Sequence, residues 1–123
     1  MNMDNLDRFK FRFFQKEQCK MFYCDYLSFQ SIEECRSGNV VIMQSTGLKD
    51  KNGKLIYEGD CIVRKWNDEN CSFKDGYKQK GLVTWVKNTY YFQRLGARYH
   101  FTENSFEYEI IGNIYENSEF LDK

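Results

Sequence analysis

Residues 46–66 read TGLKDKNGKLIYEGDCIVRKW, and their make-up decides how the chain is expected to fold. Three glycines (Gly47, Gly53, Gly59), two Asn/Asp-rich turns and the start of an apolar strand share this stretch, which concentrates no nucleophiles, bases or metal ligands. Asn52-Gly53 is the strongest short hairpin signal, because a two-residue turn needs positive φ at both central positions. Leu55–Tyr57 then reads as a short strand, Glu58-Gly59-Asp60 as a second turn, and Cys61, Ile62 and Val63 as the next strand. So dense a run of turns suits the corners of a small barrel. The stretch is scaffold.

Working outward, Phe9, Phe11 and Phe13 alternate with Arg8, Lys10 and Arg12. That period of two predicts a half-buried strand with the aromatics on one face and the cations on the other. Met21–Phe29 suits a return strand, so the first thirty residues read as a hairpin. Ser31 followed by Glu33 and Glu34 predicts one capped helical turn over Ser31–Arg36, and Val40–Met43 is a brief apolar strand. Downstream, the polar stretch Arg64–Gln79 is expected to be a long mobile loop. Four strand-like runs follow: Leu82–Val86, Tyr90–Phe92, Tyr99–Phe101 and Phe106–Ile111. Gly112-Asn113 should bend the chain, and Asn117 should cap a last helical turn, Ser118–Leu121. No linker, repeat or low-complexity block interrupts residues 1–123, which read as a single all-β domain: a small barrel with an added N-terminal hairpin and short helical turns.

Composition agrees. A chain of 123 residues is the size of one ordinary domain. Eleven Phe, nine Tyr and two Trp with no proline fit strands, whose central ladders proline breaks. No apolar run has the roughly 20 residues a membrane helix needs, and the polar N-terminus does not read as a signal peptide, so a cytoplasmic protein is expected. The five cysteines (Cys19, Cys24, Cys35, Cys61, Cys71) are odd in number and lack C-x-x-C spacing. Reduced thiols are the expectation, with zinc on Cys19, Cys24 and Cys35 the minor alternative; no cofactor or metal is expected.

Charge is balanced, 18 basic against 18 acidic residues, yet unevenly placed. From Lys74 to His100 six cations (Lys74, Lys78, Lys80, Lys87, Arg94, Arg98) face one acid, Asp75, whereas from Phe101 onward six acids face Lys123 alone. The asymmetry either holds adjacent strands together or presents two surfaces of opposite sign.

The segment VVIMQSTGLKDKNGKLIYEGDCIV and the tail YEIIGNIYENSEFL resemble the YopX family of phage and prophage proteins. Its hallmark, M-Q-x-T-G-L-K-D-K-N-G-K-x-I-Y-E-G-D, is met at Met43, Gln44, Thr46 to Lys54 and Ile56 to Asp60, and its tail at all positions but Ser118, where proline is usual. The opening KFRFFQKEQCKMFY is similar too, while Arg64–His100 departs most. The resemblance implies an all-β architecture with an SH3-like barrel and a mobile-element origin, and supplies no catalytic residues.

The residues themselves offer little for catalysis. His100 is the one histidine, no local Cys-His signature surrounds it, and Glu33-Glu34 and Asp68-Glu69 are sequence neighbours, which a strand points to opposite faces. Phosphate-binding glycine motifs and a nucleophile elbow are absent from the sequence. What stands out is TWVKNTYYFQRLGARYHF, where aromatics interleave with cations. Trp85, Lys87, Tyr91, Arg94 and Arg98, together with the loop Arg64–Gln79, are the expected partner-contact residues. Tyr, Trp and Arg dominate protein-interface hot spots, so a non-enzymatic protein-binding module is expected. With a phage origin, the expected partner is a host protein of antiviral defence, a CRISPR effector included. The same strip could instead stack single-stranded nucleic acid or nucleotides while cations track phosphates. Acids along Glu103–Asp122 could also imitate a phosphate backbone, and exposed strand edges would allow homo-oligomers.

Overall fold

The computed structural model describes residues 10–24, 29–66, 78–87, 89–101 and 106–117. Its strands form two antiparallel sheets, one curled into a half-barrel, as the all-β expectation required. The chain clusters into two compact units, Met1–Leu48 with Leu55–Glu58, and Lys49–Lys54 with Gly59–Lys123.

The first unit is built on β1 (Phe11–Gln15), β2 (Lys20–Cys24), β3 (Val40–Lys49) and β4 (Leu55–Tyr57), in the order β2-β1-β3-β4. β1 and β2 make the expected hairpin, with Phe13 opposite Phe22 and their rings stacked 5.4 Å apart. The predicted faces of β1 are inverted, however. Arg12 and Phe14 are buried, Arg12 to 3 % exposure, while Phe11 and Phe13 are only half-buried. A cation can take the inner face because the fold supplies what water would. Arg12 Nη2 donates to the Glu58 carbonyl at 3.0 Å, and its guanidinium lies 4.9 Å from the Tyr57 ring centre.

The helical turn is a full helix, α1 (Phe29–Arg36), that starts ahead of Ser31, so Ser31 is inside it rather than its cap. It closes through Ser37 and Gly38, whose N–H groups donate to Glu33 and Cys35 carbonyls. β3 runs to Lys49, well past Met43, because Thr46 substitutes its side chain for a ladder partner. Its hydroxyl donates to the Ile56 carbonyl at 2.8 Å and accepts from the Leu48 N–H at 3.0 Å.

The second unit carries β5 (Asp60–Trp66), β6 (Lys78–Val86), β7 (Thr89–Arg94), β8 (Ala97–Tyr99) and β9 (Phe106–Asn113), in the order β8-β7-β6-β5-β9. All four predicted late strands exist, with Tyr99–Phe101 moved back to Ala97–Tyr99. Ile111 is the extra residue of a bulge, since Cys61 faces Gly112 and Ile62 faces Ile110. Arg64–Gln79 is not all loop: Arg64–Trp66 ends β5 and Lys78–Gln79 starts β6, and residues 67–77 lie outside those described. Ser118–Leu121 also lies outside them. Gly112 and Asn113 remain in β9, and the bend follows them. The Asn113 Oδ1 holds it by accepting from the Tyr115 and Glu116 N–H groups at 3.0 and 2.9 Å.

Ile62, Val83 and Phe92 form the core of this sheet. Gly81 lets Phe92 lie across β6: a Cβ there would stand 2.6 Å from the Phe92 ring and 2.7 Å from the Gln93 carbonyl oxygen. The Asn52-Gly53 turn differs from its reading. Gly53 alone has positive φ, 82°, so Asn52 is not the first residue of a two-residue turn. Asp50 organises the turn instead. One carboxylate oxygen accepts from the Asn52 and Lys54 N–H groups, both at 2.9 Å, and the other from the Ile110 N–H at 3.1 Å. The Lys51 N–H donates to the Tyr108 carbonyl at 2.8 Å, so this loop covers part of the outer edge of β9.

Candidate functional site

Directly opposed residues on neighbouring strands share a face of a sheet. The register therefore sorts the second unit into two surfaces. On one, Ile62, Arg64, Gln79, Gly81, Val83, Trp85, Tyr90, Phe92, Arg94, Tyr99 and Tyr108 stand together. On the other are Val63, Lys65, Lys78, Lys80, Leu82, Thr84, Tyr91, Gln93, Arg98, Glu107 and Glu109.

The aromatic face is centred on Arg64, a residue only 6 % exposed. Its guanidinium carbon lies 4.4 Å from the Phe92 ring centre, 4.7 Å from that of Tyr99 and 4.2 Å from that of Phe106, and its Nε donates to Gln79 Oε1 at 2.7 Å. Desolvation lowers its pKa from the ordinary arginine value, the charge of nearby Arg94 lowers it further, and Tyr108 and Tyr99 oppose the change. An aromatic cage is a chemical seat for a cation, and here the chain's own arginine occupies it. Tyr99, a ring of this cage, is 42 % exposed; Trp85 (39 %), farther along β6, rests on Tyr90 with ring centres 4.4 Å apart.

On the basic face the charge asymmetry of the sequence becomes neighbouring lanes. Glu107 stands opposite Lys65, and Glu109 opposite Val63 and 3.7 Å from the Lys51 ammonium. Lys65 is opposite Lys78 on its other side. Beyond them Lys78, Lys80 and Arg98 accompany Tyr91, whose ring centre lies 5.1 Å from that of His100.

The five expected contact residues thus do not form one strip. Trp85 and Arg94 belong to the aromatic face, Tyr91 and Arg98 to the basic face, and Lys87 to the turn after β6, at φ 50°. Two contributors were expected elsewhere: Arg64 at the start of the contact loop and Tyr99 as one of the strip's aromatics, and their meeting in one cage was not legible. A third feature has a local signal, Leu95-Gly96 between two strand-like runs. Arg94 faces Ala97, and both turn residues have positive φ, 51° and 81°. This is the two-residue turn expected at Asn52-Gly53. The left-handed region costs leucine about 1–2 kcal/mol, and its side chain is 88 % exposed.

Cys19, Cys24, Cys35 and Cys61 are thiols outside any disulfide, Cys61 buried and Cys19 exposed. Among the described residues, no group of three or more His, Cys, Asp or Glu is placed to hold a metal ion, and no helix is long and apolar enough to cross a membrane.

Two antiparallel sheets place the chain among the all-β proteins. More narrowly, the YopX protein family matches residues 33–122, and the chain belongs to that family. It is similar in fold to protein EF1440 from Enterococcus faecalis, at 23 % identity and a TM-score of 0.56 over 91 % of this chain and 96 % of that one. It is likewise similar to protein YopX from Bacillus subtilis, at 16 % identity and a TM-score of 0.60 over 93 % of this chain and 98 % of that one. No curated protein matches it at a significant level.

Proposed function

We propose that the protein is a non-enzymatic, phage- or prophage-encoded protein-binding module. The carrying observation is that Trp85, Tyr99 and Arg94 share one face, the first two substantially exposed. These residue types supply most of the affinity of protein interfaces, because they bury large rigid area beside a planar charge. Beneath Tyr99 the buried Arg64 guanidinium adds positive charge. The partner put first is a component of host antiviral defence, a CRISPR effector included. Support for that class is the mobile-element origin associated with the family, not any single residue.

The test is a tagged pull-down from host lysate, with and without nuclease, using wild type and two paired variants. Trp85→Ala with Arg94→Glu should abolish capture of a stoichiometric protein at an unchanged melting temperature. Tyr91→Ala with Arg98→Glu, on the opposite face, should weaken it less. Capture undiminished in the first variant overturns the assignment of this face.

The second reading, a single-stranded nucleic-acid or nucleotide binder, is favoured by Lys78, Lys80 and Arg98 beside the Tyr91–His100 pair. It predicts nuclease-sensitive capture whose affinity falls steeply with salt.

A further inference from the structure

The tip of the β7–β8 hairpin breaks two local rules at one residue. A two-residue turn with positive φ at both positions favours Asn or Gly first, yet Leu95 stands there at φ 51°. A branched apolar side chain is ordinarily covered, yet Leu95 is 88 % exposed. A Cβ added at neighbouring Gly96 would meet nothing within 4 Å, so the tip projects into open space. Strain and exposure at one projecting position are the marks of a residue held for an external contact.

The charges around it narrow what that contact is. Arg94, next in sequence, is on the aromatic face, and Arg98, opposite Gln93, is on the basic face. The leucine is therefore an apolar apex with a guanidinium on each side. Its complement is an apolar pocket rimmed by carboxylates, which two arginines can engage bidentately. We propose that Leu95 is the anchor with which this protein enters such an acidic-rimmed pocket on its protein partner. The inference rests on the protein-binding reading above and adds to it the anchor and the partner's surface chemistry.

Leu95→Asn removes the apolar apex and leaves a turn sequence, Asn-Gly, that suits the same backbone. It should raise the melting temperature by about 2–8 °C, the response expected of a chain this size when strain of this order is relieved. It should also weaken the partner about tenfold or more, as loss of a central anchor does. Wild type and Leu95→Asn are melted, then titrated against the nuclease-resistant protein that the wild type captures. A photo-crosslinking residue at position 95 maps the contact.

Gain in stability with loss of affinity, and a crosslink to a pocket bordered by Asp or Glu, would support the anchor. Undiminished affinity of Leu95→Asn would overturn it while leaving the protein-binding reading intact. A crosslink to nucleic acid or to a basic surface would overturn it as well. Failure of the wild type to capture any protein would overturn both readings.

Discussion

Two turns of the second unit, Asp50–Lys54 and Leu95-Gly96, reverse each other's expectations. The first contains Asn-Gly, the strongest hairpin dipeptide, and does not use it as a two-residue turn. The second contains Leu-Gly, a poor sequence for that turn, and adopts it. The difference is where the stabilisation comes from. At Asp50 a buried carboxylate accepts three backbone N–H groups, one of them from Ile110 sixty residues away. At Leu95 the strand register dictates the conformation, and the residue at the apex opposes it. A turn can thus be specified by a side chain that satisfies donors or imposed by the strands it joins.

Replacing the organiser should break the contrast most severely. Asp50→Ala removes the acceptor of three N–H groups, and hydrogen bonds to a charged group contribute about 1.5–3 kcal/mol each, so a loss of about 3 kcal/mol or more is expected in urea melts. A loss below about 1 kcal/mol would mean that the turn is shaped by its strands, as the other one is. Gly53→Ala should cost less, about 1–2 kcal/mol, since only the left-handed φ of 82° resists a side chain there and the space around it is open.

The smallest effect belongs to the turn at Glu58 and Gly59. Burial raises the Glu58 pKa above the ordinary 4.5, against a backbone hydrogen bond from Gln44 and the charge of Arg12. The folded chain therefore holds this proton more tightly than the unfolded chain. Its contribution is present below about pH 4.5 and lost as pH rises through the folded pKa. Glu58→Gln should be slightly more stable than wild type at pH 7, with the advantage shrinking as pH falls toward 4. An advantage that grows on acidification would reverse the sign.

The strands were legible because a period of two is local, as Phe11 to Gln15 shows. Which face is buried was not legible. Arg12 turns inward because a carbonyl 46 residues on meets it, and no window around Arg12 contains Glu58. The cage around Arg64 was hidden for the same reason, since Phe92, Tyr99 and Phe106 reach it only after β5, β7, β8 and β9 have assembled. The expected contact residues fell on two faces. Their side depends on whether a position is odd or even along each strand and on where the turn between β6 and β7 closes. The family likeness carried the architecture further than composition did.

The seat that Arg64 fills has a consequence for chemistry from outside the chain. Three rings around a planar cation make a receptor that comes with its guest tethered. Shortening that guest, as in Arg64→Ala, would leave a vacancy shaped for small guanidinium compounds, with the Gln79 amide oxygen to orient them. The thermal stability of such a chain would then respond to millimolar methylguanidine, and a residue that anchors the sheet would become the sensing element of a switch controlled by a solute.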